Sequence, residues 1–393
     1  MNDYRSKSFC YIYIALWMLY NLQQLLLLRG LVSQLIFVVL MAISFYAFFV
    51  VNLYYKTGPY LKWLNVILLV ITVYGVILII GGYTFHKSRY FSNVVNNYTY
   101  LQRIYISVMP IYAFYYFTIK RQINANNLNK IFFVLLICCI LMFYQNYFVK
   151  TDISGKEEIT NNKGFAFVPL IMMLYLVKLK DIWKYLLLVV IFGYVLMAMK
   201  RGAIIAGSVM LLLYLAHHLR VRSKVQLFSV LGLSVAAIYV IYRWIMNLYA
   251  NSEYFQTRLS RTLSGDTSGR QEIYMNYYNY FIDRTSSLEF FFGHGGNGTI
   301  LLFNQYAHND WLEFAINQGM MGVMLYLVYW ILFVWEWKHY RGSKECKQAL
   351  GGLITAYFLI ALYSMSFGNM PVTATLCIGF ILARGKTSVQ GIV

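Results

Sequence analysis

Charged residues are scarce in this sequence. Only 12% of its 393 residues are charged and 60% are hydrophobic, whereas a soluble globular domain is about 25% charged and about 45–50% apolar. Proline occurs only 4 times, which excludes a proline-rich disordered chain, and 26 glycines are too few for a collagen-like repeat. The composition therefore excludes a soluble enzyme with a single anchor and predicts a polytopic membrane protein.

Several chemical signatures are also missing. The 5 cysteines are an odd number and most lie inside apolar runs, so we predict neither a disulfide framework nor a metal site. No Asp-x-Asp pair is present for a metal-bound nucleotide sugar, and no cofactor motif is found. Acidic residues are absent from the middle of the apolar stretches, which disfavours an ion-coupled transporter.

Uncharged stretches mark the candidate membrane spans, each of which needs roughly 20 apolar residues. We predict an all-α membrane protein with about twelve transmembrane helices. The stretches lie at 8–28, 31–55, 63–85, 104–119, 131–149, 164–177, 185–199, 202–219, 225–242 and 314–335, with two more in 348–383 on either side of the turn Gly368-Asn369-Met370-Pro371.

These spans divide the chain into three parts: spans one to nine in 1–243, a large loop of short helices in 244–310, and spans ten to twelve in 311–393. Lys and Arg fall mostly in short connections that share one side if both termini are cytoplasmic, as the positive-inside rule requires. The net charge of +19 is then explained by topology and by an anionic lipid surface, and we predict no nucleic-acid partner.

Lys200 and Arg201 stand between two apolar stretches, in a tight turn at the predicted outer boundary. Two interpretations are open: basic side chains that anchor helix ends at the interface, or a cationic site for an anionic group near the lipid surface. Arg270 follows Gly265-Asp266-Thr267-Ser268-Gly269. It is either a surface residue paired with a nearby carboxylate, or a phosphate-binding Arg at the start of a helix near Gly269.

His308 precedes another predicted helix start. Asp310 and Glu313 have the spacing of a capping box for a helix that enters the membrane at Trp311. A neutral imidazole at this position is a proton acceptor near neutral pH, and the alternative is an interfacial His with a polar tip. The glycine-rich loop 293–298 matches a dinucleotide fingerprint only weakly, and we interpret it as a flexible turn that returns the chain to the bilayer.

Five short segments together resemble the O-antigen polymerase/O-antigen ligase superfamily. All of them fall at the predicted outer face. They are Lys200-Arg201-Gly202-Ala203, Ser268-Gly269-Arg270, Gly293-His294-Gly295, Ala307-His308-Asn309-Asp310-Trp311-Leu312-Glu313 and Gln318-Gly319-Met320-Met321-Gly322.

The resemblance implies a twelve-span bundle with a periplasmic helical lid, in the bacterial inner membrane. It further implies transfer of a glycan from undecaprenyl diphosphate to an acceptor hydroxyl at the periplasmic face. By this resemblance Arg201 and Arg270 hold the diphosphate and His308 is the base, while Lys200, His294 and Asn309 belong to the substrate-binding site. Many members carry Ser or Thr where this chain has Lys200.

The leading interpretation is a polymerase that joins lipid-linked repeat units into O-antigen, capsule or exopolysaccharide. The alternative is a ligase that transfers the glycan to lipid A-core, and a lipid or polysaccharide transporter is a third reading. The expected partners are the undecaprenyl-diphosphate-linked donor, a glycan or lipid-linked acceptor and the bilayer, together with a chain-length regulator and a flippase.

Overall fold

The computed structural model describes residues 2–81 except 24, 27 and 29, residues 97–154, 160–219 and 269–387, and isolated positions between 239 and 260. Every regular element in these residues is helical. In chain order they are α1 (Asn2–Asn21), α2 (Leu31–Tyr54), α3 (Pro59–Ile80), α4 (Asn97–Val108), α5 (Pro110–Ile119), α6 (Leu128–Ser154), a 3-10 turn (Asn162–Ala166), α7 (Val168–Met173), α8 (Asp181–Met197), α9 (Arg201–Leu219), α10 (Arg270–Asn279), a π turn (Tyr280–Arg284), α11 (Ser287–Phe292), α12 (Gly298–Phe303), α13 (Asp310–Lys338), α14 (Lys344–Tyr363), a 3-10 turn (Phe367–Asn369) and α15 (Val372–Thr387).

Among the residues that the structure describes, six helical segments are long and apolar enough to cross a bilayer. They are Leu31–Tyr54, Pro59–Ile80, Leu128–Val149, Arg201–His218, Asp310–Lys338 and Lys344–Tyr363. The described part of the chain is thus all-helical, and its long apolar helices indicate a membrane protein. A total of twelve spans stays a prediction, because several of the other helices are shorter and the predicted ninth span, 225–242, lies almost wholly outside the described residues.

Pro110 divides α4 from α5. Proline lacks the N–H that an uninterrupted helix needs, but it is tolerated at a helix start, and here it opens α5. Since α4 already begins at Asn97, the last part of the stretch 86–103, expected to be an outer loop, is helical instead. Arg103 therefore projects from a helix and not from a loop.

Close helix packing relies on small residues, as is common in membrane bundles. α15 lies against α5 at Gly379, where an added Cβ would stand 2.5 Å from the Ile111 carbonyl oxygen. The same device operates at Gly164, whose added Cβ would overlap Ala198 at the end of α8. The 3-10 turn is thereby held directly against the α8–α9 turn that carries Lys200.

α13 is not the single straight span that the apolar stretch 314–335 predicts. Gly319 has φ 65° and ψ −160° inside it, and the chain reverses there. The Phe314 and Tyr326 rings stack with centroids 4.5 Å apart, and the Tyr326 hydroxyl donates to Asp310 at 2.9 Å. In a continuous helix, 16 residues rise about 24 Å. Residues 310–318 therefore fold back onto residues 320–338, whose helix is about 28 Å long and alone matches a bilayer core of about 30 Å.

The glycine-rich loop 293–298 satisfies the backbone at this break. The N–H groups of His294 and Gly295 donate to the carbonyls of Ile316 and Asn317, both at 2.8 Å. Gly293 and Gly295 have positive φ, and a Cβ on Gly293 would stand 2.5 Å from the Asn317 carbonyl carbon. The interpretation of this loop as a flexible turn was wrong, because the loop is buried and pairs with the broken helix.

We expect Gly319→Ala to lower the thermal unfolding midpoint of the purified protein. Its Cβ would stand 2.5 Å from the Phe291 carbonyl carbon, and a non-glycine residue at this φ is strained by about 1–3 kcal/mol before the clash is counted. The matched control is Gly193→Ala in α8, where a Cβ meets nothing within 4 Å and helix propensity favours alanine by about 1 kcal/mol. A midpoint for Gly319→Ala equal to that of the control would contradict the role of the break.

Candidate functional site

His308 occupies a strained turn immediately before α13. Its φ is 53°, in the left-handed region that few non-glycine residues adopt. Asn309 is the helix N-cap, because its side-chain oxygen accepts from the Trp311 N–H at 2.9 Å and the Leu312 N–H at 3.2 Å. The half-buried imidazole is therefore presented by a turn that the following helix fixes in place.

Tyr274 joins α10 to this turn. Its hydroxyl lies 3.1 Å from the His308 carbonyl oxygen and 3.2 Å from the Leu362 carbonyl oxygen at the end of α14. The Asn309 amide donates to the same Leu362 carbonyl at 3.2 Å. Arg270 is the first residue of α10, one turn before Tyr274, so these contacts hold the Arg270 end of α10 close to His308.

The helix start predicted near Gly269 is confirmed. Gly269 is the N-cap with φ 73°, and it provides no side-chain cap. The three residues considered as caps, Asp266, Thr267 and Ser268, lie outside the described residues.

Lys200 and Arg201 form the tight turn between α8 and α9. Met199 has φ 49°, and the Ala198 carbonyl accepts from the Asn161 N–H at 2.8 Å. The Lys200 carbonyl accepts from the Ile204 N–H at 3.0 Å, which makes Arg201 the first residue of α9. Both basic side chains are partly exposed. The turn thus presents two cations at the N-terminus of a helix.

Lys200 and Arg270 both act electrostatically on the His308 imidazole. Burial, and then the positive charges of Lys200 and Arg270, together lower the pKa of His308 to about 4. Such an effect requires both cations to lie near the ring. The starts of three helices, α9, α10 and α13, therefore lie near His308, and each contributes the positive end of a helix dipole. The arrangement suits a multiply charged anion.

The six residues proposed from the sequence are not all together. Lys200, Arg270, His308 and Asn309 share one region, and Arg201 adjoins it through Lys200. His294 instead contacts Glu289 at 3.5 Å and the Tyr280 hydroxyl at 3.3 Å. Burial lowers the pKa of His294, with a smaller opposing effect from Glu289. None of the contacts recorded for His294 in the described part of the chain reaches the His308 group.

The expected capping box at Asp310 and Glu313 was wrong, because Asn309 is the cap and both carboxylates are buried. Asp310 accepts from the Tyr326 hydroxyl and from the backbone N–H groups of Ser366 and Phe367, so it ties the broken helix to the turn after α14.

Glu313 has a different set of donors and lies directly behind the His308 turn. It accepts from the Ala307 N–H at 2.7 Å, the Thr299 hydroxyl at 2.9 Å and the Asn317 amide at 3.2 Å. Because Ala307 immediately precedes His308, Glu313 fixes one side of the strained turn while Asn309 fixes the other.

Arg103 is a further residue that the sequence did not single out. Its guanidinium lies over the Tyr306 ring at 4.8 Å and the Tyr100 ring at 5.4 Å, and it is close enough to Glu313 to stabilise the carboxylate. An Arg inside a helix that carries few charges was the available signal. Because the sequence pattern put Arg103 in an outer loop, its contact with Tyr306, in the segment that carries His308, was not predicted.

Residues 186–327 match a family described as O-antigen ligase. No curated protein matches the sequence. The matched segment runs from α8 into α13 and includes all six candidate residues together with Glu313, whereas Arg103 lies outside it. The match confirms the resemblance to the O-antigen polymerase/O-antigen ligase superfamily.

We expect the His308 imidazole to titrate near pH 4 and to be neutral at pH 7. Histidine NMR signals of the purified protein, assigned with His308→Gln, measure this directly. Lys200→Met should raise the pKa of His308, since it removes a nearby positive charge, whereas Lys338→Met at the opposite end of α13 should not change it. Titration of His308 near 6.5 in the unmodified protein would contradict the geometry.

We expect Glu313→Ala to abolish turnover and to lower stability. It leaves three buried donors without their acceptor, at about 1–3 kcal/mol each, and it releases Ala307. Glu313→Gln keeps one oxygen for the Ala307 N–H and should retain part of the activity. The exposed Glu272→Gln serves as the control. Equal activity of Glu313→Ala and the unmodified protein would exclude this role.

Proposed function

We propose that this protein is a glycosyltransferase that uses a lipid-diphosphate-linked glycan as donor. More specifically, it polymerises undecaprenyl-diphosphate-linked repeat units at the periplasmic face of a bacterial inner membrane. The family match supports the reaction class. The observation that carries the proposal is the pair of cations, Lys200 and Arg270, beside a neutral His308.

The cations bind the leaving group. As the glycosidic bond to phosphate breaks, negative charge grows on the departing diphosphate oxygen, and guanidinium groups bind phosphate oxygens bidentately. In the proposal, Arg201 at the start of α9 and Arg270 at the start of α10 hold the diphosphate, with Lys200 as an additional point charge. Preorganised positive groups of this kind stabilise the transition state without reorganising at the moment of reaction.

His308 accepts the proton of the acceptor hydroxyl. The imidazole is neutral at pH 7 and therefore has a free lone pair. Burial, and then the charges of Lys200 and Arg270, oppose a positive charge on the ring and make it a weak base. A bound diphosphate offsets those charges, so the basicity of His308 increases when the donor is in place. Attack from the face opposite the leaving group inverts the anomeric carbon.

Asn309 and His294 have different proposed parts. Asn309 contributes mainly through its backbone and cap, which orient the base, and its amide is already bonded to Leu362. His294 belongs to the glycine-rich loop that closes the helix break, so we assign it a supporting position and not a direct contact with the diphosphate.

A ligase that transfers the glycan to lipid A-core is the second candidate, because donor chemistry is shared and the family description names a ligase. A chain-length regulator and a flippase would be partners of the polymerase in either a capsule or an O-antigen system.

The test is reconstitution of the purified protein in liposomes with undecaprenyl-diphosphate repeat units as the only substrate. A polymerase produces a ladder of lengthening glycans on the carrier. His308→Ala should retain donor binding and lose about 10²–10⁴-fold in turnover, the usual contribution of a general base. Arg201→Ala and Arg270→Ala should weaken binding of the labelled donor.

Arg341→Ala, beyond the opposite end of α13, is the matched control and should behave like the unmodified protein. Transfer that appears only after lipid A-core is added would identify a ligase. Undiminished turnover by His308→Ala would refute the base assignment, and absence of product with either acceptor would refute the proposed reaction.

A further inference from the structure

The short helix α11 carries an apolar stripe that nothing in the described structure covers. Leu288 is 74% exposed, Phe291 55% and Phe292 48%. Their spacing of i, i+3 and i+4 puts them on one face of the helix. Phe290 points the other way and stacks on Phe281 with ring centroids 4.9 Å apart. The stripe is thus the outer surface of an element whose inner surface is packed.

The position of α11 relative to the membrane follows from its contacts with α3. The Gly293 carbonyl, directly after α11, accepts from the Tyr74 hydroxyl at 2.9 Å. Gly295 packs against Leu78 so closely that a Cβ would overlap it. α11 therefore ends beside the last turns of a helix that is long and apolar enough to span the bilayer.

α3 continues beyond this level. From Tyr74 to its last residue, Ile80, it rises about 9 Å further, and this portion still presents apolar side chains outward: Ile77 is 59% exposed and Ile80 81%. Exposed isoleucines at the end of a spanning helix are stable in lipid and costly in water. The lipid-facing surface of α3 thus extends past the point where α11 is attached.

Contacts with α13 indicate the same membrane depth for α11, independently of α3. The Phe291 backbone lies against Gly319, where the crossing segment 320–338 begins. Met321 and Met324 on the first turns of that segment are 47% and 53% exposed, as expected for a helix facing acyl chains. α11 is therefore adjacent to two lipid-facing helices at the same depth.

We propose that α11 is embedded in the bilayer and that Leu288, Phe291 and Phe292 contact lipid acyl chains. The segment expected to be an aqueous loop, 244–310, is then anchored in lipid at this helix. This anchor would fix the depth of the neighbouring segments in the membrane. α11 follows α10, which carries Arg270, and precedes the glycine-rich loop that pairs with the helix break at Gly319. The inference concerns the membrane alone and stands whether or not the proposed glycosyl transfer is correct.

Spin labelling in proteoliposomes tests this proposal with the full chain. The five native cysteines are all buried, so a nitroxide reagent labels an introduced cysteine selectively. Leu288→Cys and Phe291→Cys are the test positions, Ile80→Cys is the lipid-facing reference, and Glu272→Cys on exposed α10 is the water-facing reference. Power saturation compares collision of each label with oxygen, which concentrates in lipid, and with a nickel chelate, which stays in water.

We expect both test labels to show the same ratio of oxygen collision to chelate collision as the label at Ile80→Cys. Both should collide with the nickel chelate less often than the label at Glu272→Cys. A ratio closer to that of Glu272→Cys at both positions would place α11 in water and overturn the proposal, and would favour a protein partner for the stripe. Each variant is compared with the unmodified protein by its thermal midpoint, and the two test positions are independent if one substitution perturbs the fold.

Discussion

The site depends on one constraint: a helix broken inside a membrane protein must have its backbone groups paired within the protein. At Gly319 the carbonyls of Ile316 and Asn317 are taken by the N–H groups of His294 and Gly295. With those bonds made, residues 310–318 fold back along their own helix, and the turn before them is carried to the ends of α9, α10 and α14. In a straight helix, Asp310 could not reach Tyr326, and the His308 turn would lie away from the ends of α9, α10 and α14.

The basic and the acidic side chains near His308 make different contacts. Lys200 and Arg270 act on His308, while two buried carboxyl groups of the following helix, Asp310 and Glu313, accept hydrogen bonds from other parts of the protein. These two acids hold the segments around the His308 turn together, and Glu313 also lies close to Arg103. A region with positive charge and helix N-termini beside an imidazole is electrostatically suited to an anion.

Two buried carboxylates would be costly in an apolar bundle if they were not satisfied. Asp310 and Glu313 are 3% and 4% exposed. Asp310 accepts from Tyr326, Ser366 and Phe367, and Glu313 accepts from Thr299, Ala307 and Asn317. Their bonds connect the broken helix to α12, to the turn after α14 and, through Ala307, to the His308 turn. Hydrogen bonds to these two carboxyl groups thus hold together the segments around His308.

The sequence alone determined the class of the protein and proposed the residues of the candidate site. Low charge and long apolar runs require a helical membrane protein because only helices pair all of their backbone groups within one segment, and short motifs singled out Lys200, Arg201, Arg270 and His308. Sequence could not reveal the reversal at Gly319, the partners of Glu313 or the approach of Arg103, since each depends on contacts between segments far apart in the chain. The sequence pattern shows which residues are apolar. Only the tertiary structure decided which polar groups contact one another between the apolar helices.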